Sequence, residues 1–547
     1  MRSCRFPRHP LGAAVVVSVV FAVFGAVPAQ AQYFGRNKVR YDAQEVRVLK
    51  SEHFDVHFDA SAEEAAPVVV RLAERWHARL SLVLDHSLSG RQPIVFYSGH
   101  PGFEGTNVVA GTLPESTGGV TEGQKRRVIL PSAGALAETD HVLGHELVHA
   151  FQYDIVGRGA RIERLPLWFI EGMAEYLSLG PVDAHTAMWM RDAARSGRLP
   201  NVRDMHHPRY FPYRYGHAFW AYVGGRWGDG MVGRVLKASR RSARPVRTLE
   251  KLLEISEADL SRDWHASIRE AYGVSGPPEA KDADPPVGTL VSATAKSSFN
   301  LAPSLSPDGL RLVFLSEGDG ALELFLADAK TGRVLRRLLK RSLEPHFESL
   351  QFVGSAGAWA PDGRRFAFAG VRRGRAVITV LDVDRGRIAR EIDVSGVDEV
   401  LNPTWSPDGT RLAFSAMRGA FADLFTYDLA SGRLEALTDD AFADLQPAWA
   451  PDGASIAFVT DRFGTDLDQL RWGKYRLARF VLASQTIEPL PSFDGAKNVN
   501  PQWSGDALFF LSDRGGTSDV YRLDVASGAM RQVTSAPVGL SLSLIHI

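Results

Sequence analysis

Apolar and polar positions follow three different patterns along the chain. Residues 1–31 hold one continuous apolar run, LGAAVVVSVVFAVFGAV, preceded by Arg2, Arg5 and Arg8 and followed by the small-residue triplet Ala29-Gln30-Ala31. That order predicts a secretory signal peptide cleaved before Gln32, because the run is short for a membrane span. In the second stretch, HFDVHFD, PIVFYS and RRVILP alternate or run apolar as strands do, and AAPVVVRLAERWHARLSLVL between the first two has helical spacing. From about residue 137 to 273 the period is helical, in LAETDHVLGHELVHAFQYDIV, LPLWFIEGMAEYLS, TAMWMRDAARSGRLP and the segment beginning YGHAFWAYVGGRW. The proline- and charge-rich GPPEAKDADPPVG then predicts a semi-rigid linker over 276–290.

Beyond the linker the chain repeats itself. LAPSLSPDGLRLVFLS, AGAWAPDGRRFAFAG, LNPTWSPDGTRLAFSA, LQPAWAPDGASIAFVT and VNPQWSGDALFFLS are copies of one pattern, marked by Asp308, Asp362, Asp408, Asp452 and Asp506. A spacing of about 44 to 54 residues is the period of a β-propeller blade, and each copy predicts a strand, a tight turn and a second apolar strand. Turn geometry accounts for the aspartates and glycines better than ligand binding does. The last residues, LSLIHI from Leu542, match one reading frame of a transposase sequencing adapter, so the propeller is expected to be incomplete and the native chain to continue.

Composition narrows the function classes. A length of 547 residues suits two or more domains with substantial cores. With 63 basic and 63 acidic residues, charge gives no argument for nucleic acid or an anionic membrane surface. The one cysteine, Cys4, lies in the predicted signal peptide, so the mature chain has no disulfide and relies on core size.

The candidate chemistry centres on HELVH. Residues four apart share a helix face, so His145 and His149 can present two imidazoles to one metal ion, with Glu146 beside them as a general base. In LPLWFIEGMAEYLS, Glu171 and Glu175 also fall four apart, in an otherwise apolar helix where buried carboxylates need a partner. A third histidine of the metzincin kind is excluded, because Gln152 and Ile155 stand where its glycine and histidine would fall. Glu171 as third ligand completes a His, His, Glu set that leaves a fourth position for water, the arrangement of a catalytic Zn2+ site. A closed structural zinc site is disfavoured, since those are typically built from four protein ligands, often cysteines.

HELVHAFQYD followed by WFIEGMAEYLS resembles the gluzincin clan, in particular the bacterial peptidase MA-like family. The resemblance implies His145, His149 and Glu171 as zinc ligands, Glu146 as base and Glu175 as a carboxylate orienting a ligand histidine. A solvent-facing role for Glu175 is the alternative. The repeats resemble the TolB-type, WD-related propeller. The expected architecture is multidomain: an α/β plus helical, zincin-like peptidase domain over 32–275, then an all-β propeller over 291–547.

Two further elements are expected to serve the reaction. The gluzincin resemblance implies an edge strand beside the zinc helix that holds the substrate backbone, and GGVTEGQKRRVILP is the candidate for it, with Glu122 in it an ordinary loop carboxylate on the simpler view. RYFPYRYGHAFW offers an oxyanion donor, Tyr215 first and His217 second, against the alternative that these aromatics are packing residues. The reading is an exported, periplasmic or extracellular zinc metallopeptidase acting on peptides or proteins. Its propeller is free to dock a protein partner, and no integral membrane segment remains after signal cleavage. A non-catalytic, propeller-based envelope-assembly protein is the alternative.

Overall fold

The computed structural model describes residues 45–540 except 107–112, 114–116, 158, 243, 275–299, 319–320, 340–348 and 351–356. The expected signal peptide, linker and LSLIHI terminus lie outside the described residues. Among the described residues no helix is long and apolar enough to cross a membrane.

Five strands form the first sheet: β1 (Val46–Lys50), β2 (Phe54–Asp59), β3 (Gln92–Tyr97), β4 (Val120–Glu122) and β5 (Arg127–Pro131), in the order β1-β2-β3-β5-β4. β2, β3 and β5 run parallel, and β1 and β4 flank them antiparallel. Alternation in FDVHFD sends Phe54, Val56 and Phe58 to the buried face. Helix α1 (Ala66–Leu84) follows β2, with Pro67 in its first turn where no N–H partner is needed. β1 was not among the expected strands; its residues are exposed or half-buried, so it carries little apolar signal. A one-turn helix, α2 (His100–Glu104), follows β3.

Seven helices then succeed one another: α3 (Leu136–Val156), α4 (Leu167–Leu179), α5 (Ala184–Arg195), α6 (Pro212–Trp227), α7 (Asp229–Ser239), α8 (Pro245–Leu253) and α9 (Glu257–Ala271). Prolines open α4 and α6, and Gly157, Gly180 and Gly228, all at positive φ, close α3, α4 and α6. α3 packs between α1 and the sheet on one side and α4 on the other. α4 lies against α6 so closely that a Cβ at Gly172 would fall on the backbone of Gly216. Trp168, Phe169, Phe219, Trp220 and Trp264 fill the space around that crossing.

The repeats fold as five antiparallel sheets over Asn300–Gln532, four strands in each blade apart from an extra short strand in the second. In four blades the turn aspartate accepts a backbone N–H two residues on, and the glycine after it takes φ of 66° to 71°. The expected turn role of Asp308, Asp362, Asp408 and Asp452 is thus what the structure shows. Successive blades are stitched together: Trp359, Trp405 and Trp503 each donate to a carbonyl of the preceding blade, and Arg311 and Arg365 stack over the Trp359 and Trp405 rings.

Candidate metal centre

α3 carries His145 and His149 on one face, and α4 brings Glu171 up to them. His145 Nε2 lies 3.1 Å from His149 Nε2, and each of the two nitrogens lies 3.2 Å from Glu171 Oε2. Three donor atoms thus form a nearly equilateral triangle. Tetrahedral coordination at about 2.0–2.1 Å requires neighbouring donors ~3.3 Å apart, so a His, His, Glu set of this size fits a zinc ion without rearrangement.

Each imidazole is fixed through its other nitrogen. His145 Nδ1 faces Glu175 Oε1 at 3.1 Å, and Glu175 Oε2 accepts from Arg214 Nη1 at 2.8 Å; Arg214 also reaches Asp183 at 3.4 Å. His149 Nδ1 bonds Gln152 Oε1 at 2.8 Å, and the Gln152 amide donates to Ile170 O at 2.9 Å. Both contacts leave Nε2 as the free donor atom, the orientation a metal ligand needs. Burial alone would lower the His145 pKa, but hydrogen bonds to Glu171 and Glu175 outweigh it and push it up to about 10. Burial alone would raise the carboxylates; the facing histidines instead hold Glu171 well below the usual range and Glu175 down at about 2. Glu171 within the triangle and Glu175 behind His145 are both ionised, and a metal ion that displaces the protons of the two histidines gains from both charges.

Glu146 sits beside the triangle with its carboxylate anchored. Thr121 Oγ1, on β4, lies 2.6 Å from Glu146 Oε2 and 2.8 Å from its carbonyl oxygen. A Cβ at Gly119 would stand 2.8 Å from Glu146 Cγ, so glycine lets the strand come this near. β4 pairs with β5 along one edge. Glu122 accepts from the backbone of Gln124 and Lys125, a turn carboxylate as the simpler view expected.

The structure does not bring Tyr215 or His217 to this site. Tyr215 packs among Tyr210 and Trp189, and burial there pushes its pKa up to about 12. His217 is spent within the fold, with Nδ1 on Thr186 Oγ1 and Nε2 on Gly180 O, both at 2.7 Å. The tyrosine at the site is Tyr213, whose ring stacks on His145 at 6.0 Å between centroids. Burial and the carboxylates of Glu171 and Glu146 raise its pKa far above the phenol range, so its hydroxyl keeps its proton. Gln152, Arg214, Thr121 and Tyr213 are the site residues that sequence reasoning missed.

Among the described residues, two other groups of donors lie close together. His53 and His77 are stacked 3.7 Å apart and only 22° from parallel, so their in-plane lone pairs do not converge, and Glu74 is held by Ser51 and His53. Arg462 fills the cluster of Asp423, Asp440 and Asp444, pairing with Asp440 at 3.0 Å and Asp444 at 2.6 Å.

Comparison with known proteins follows the same division. Residues 349–470 match the family model of the TolB β-propeller domain, and residues 126–252 match that of a peptidase of plants and bacteria. No curated protein matches the chain. Among solved structures, a TolB from Agrobacterium tumefaciens is 21% identical over 43% of this chain and 80% of its own, with a TM-score of 0.35. TolB from Acinetobacter baumannii is 21% identical over 43% of this chain and 54% of its own, with a TM-score of 0.34. Pyrococcus horikoshii acylaminoacyl peptidase is 14% identical over 44% and 39%, with a TM-score of 0.31. The chain therefore joins a mainly helical region, matched in part by a peptidase family, to a TolB-like β-propeller of five described blades.

Proposed function

We propose that this protein is an exported zinc metallopeptidase of gluzincin type, with His145, His149 and Glu171 as the metal ligands. The observation that carries the reading is the triangle of donor atoms 3.1–3.2 Å on a side, each histidine oriented from behind. A zinc ion held there would supply Lewis acidity, lowering the pKa of water at its open position and polarising a carbonyl oxygen. The rest falls to the chain's own residues. Glu146, fixed by Thr121, takes the proton from the attacking water and hands it to the leaving amine. Tyr213, protonated and stacked on His145, donates to the developing oxyanion. β4 offers its outer edge to an extended peptide backbone, which places the scissile carbonyl between Glu146 and Tyr213. Glu175 and Arg214 position His145, and Gln152 positions His149.

The substrate class is peptide or protein, and export follows from the arginine-flanked apolar run of residues 1–31. The test is hydrolysis of a mixed peptide library by the full chain, with chelation and zinc restoration. Cleavage that chelator abolishes and zinc restores supports the reading. A zinc-loaded, folded protein that cleaves nothing favours the propeller-based binding alternative.

A further inference from the structure

The propeller touches both walls of the metal site. On the helix wall, Asp140 of α3, five residues before His145, is a buried carboxylate that accepts three N–H groups. Trp76 Nε1 and Arg75 Nη2 come from α1, and Trp472 Nε1 comes from the propeller, each at 2.7 Å. Arg75 also donates to Leu470 O at 2.6 Å, and Arg71 to Asp468 O, so the segment 468–472 clasps α1 and α3 together. Just ahead of α3, Ser132 Oγ donates to Ala420 O at 2.6 Å, and Gly134 lies against Met417 and Ala422.

The strand wall is held by the blade that also carries Met417 and Ala422. Glu399, buried, accepts from the backbone N–H of His100 at 3.0 Å. His100 Nε2 in turn meets Thr117 O at 3.1 Å, three residues before β4 begins. β4 then delivers Thr121 to Glu146. Contacts thus run from the propeller both to the helix bearing His145 and to the strand bearing Thr121, and they meet at Glu146.

We infer that the TolB-like propeller is a working part of the metal site, with Trp472 and Glu399 as positioning residues that hold α3 and β4 at the spacing the site needs. This rests on the peptidase reading only for its catalytic consequence; the mechanical claim stands on the contacts. The contacts through Trp472 and through Glu399 reach different walls, so loosening either one lets α3 and β4 part while the ligands stay on α3 and α4. Metal should therefore still bind, while the alignment of Glu146 is lost.

The experiment uses the full chain loaded with one equivalent of zinc, as wild type, Trp472→Phe, Glu399→Ala and Glu399→Gln. Trp472→Phe keeps the ring and removes only the N–H; Glu399→Gln keeps an acceptor for His100. Amide hydrogen exchange is followed by mass spectrometry in segments 117–122 and 136–146, with the propeller strand 455–460 as internal reference, alongside bound zinc by elemental analysis. Expected is exchange at least tenfold faster in 136–146 for Trp472→Phe and in 117–122 for Glu399→Ala. The reference strand and the zinc stoichiometry should not change, and Glu399→Gln should return to within threefold of wild type. Where peptides are cleaved, kcat should fall at least tenfold with KM nearly unchanged. Wild-type exchange in both segments of folded Trp472→Phe and Glu399→Ala would overturn the inference. Absence of peptide cleavage by wild type, with the exchange pattern as expected, would instead count against the peptidase reading alone.

Discussion

Tyr213 and Tyr215 stand two residues apart at the start of α6, which puts them about 200° apart around the helix. One stacks on His145 and the other packs against Trp189 and Tyr210. The sequence supplies both tyrosines with no means of choosing until the face of α6 that meets α4 is known. Spacing held a clue: Tyr213, Gly216 and Trp220 recur three and four apart, and Gly216 and Trp220 are the residues that touch α4. Tyr213→Phe should lower kcat about 10²- to 10³-fold, the usual cost of one oxyanion donor, while Tyr215→Phe should leave it within twofold, in the same peptide assay. Gln152→Ala should weaken zinc binding about 10- to 100-fold in competition with a chelating dye, because His149 loses the acceptor that fixes its tautomer. His145, Glu146 and His149 were legible because helical period alone places them together. Arg214 was not, because its partner Glu175 comes from a helix whose docking angle the sequence leaves open, whereas Gln152, three residues after His149 on the same helix, could have been placed behind that ring by spacing.

At the scale of elements, the approach of α4 to α6 and of β4 to α3 sets the site, and glycine permits both. In Glu-Gly-Met-Ala-Glu the two glutamates were legible as one helical face, but the reason for Gly172 is tertiary. Its missing Cβ would occupy the backbone of Gly216, atoms that cannot swing aside. Gly172→Ala should therefore destabilise the fold by about 3 kcal/mol, at the upper end for overpacking, read as a lowered urea midpoint. Gly119→Ala acts differently, since its Cβ meets a side chain. The Glu146 carboxylate should be displaced from Thr121, with cleavage lost at least tenfold while zinc content and melting temperature stay near wild type. An edge strand in GGVTEGQKRRVILP was expected from the gluzincin resemblance, and β4 is there as a three-residue strand. β1 escaped notice because a half-exposed edge strand lacks the apolar alternation that reveals β2.

On the scale of the whole molecule, the repeats were legible because four of the five carry a Pro-Asp-Gly turn and four carry a tryptophan just before the turn. The contact between propeller and helices was not, because it is made by segments that differ from blade to blade: 398–399, 417–422 and 468–472. Glu399 gives that contact a pH dependence. Burial, with the nearby Asp398, pushes its pKa up to about 7 from an ordinary 4.5, although the His100 N–H bond opposes the rise. Between those values the folded chain holds the proton more tightly than the unfolded one, so stability from this group falls as pH rises from about 4.5 to 7 and is level above. Asp398, pushed up to about 6, contributes in the same direction. Melting temperature should fall across that window less steeply in Glu399→Gln than in wild type, measured at matched ionic strength.

The most direct measurement on the central claim compares full-length wild type with Glu146→Gln, taking zinc by elemental analysis and cleavage from one mixed peptide library. The account predicts one zinc per chain in both proteins, with cleavage by wild type and a loss of at least about 10²-fold in Glu146→Gln. Equal cleavage by the two proteins, or folded wild type that binds no zinc when dialysed against it, would contradict it.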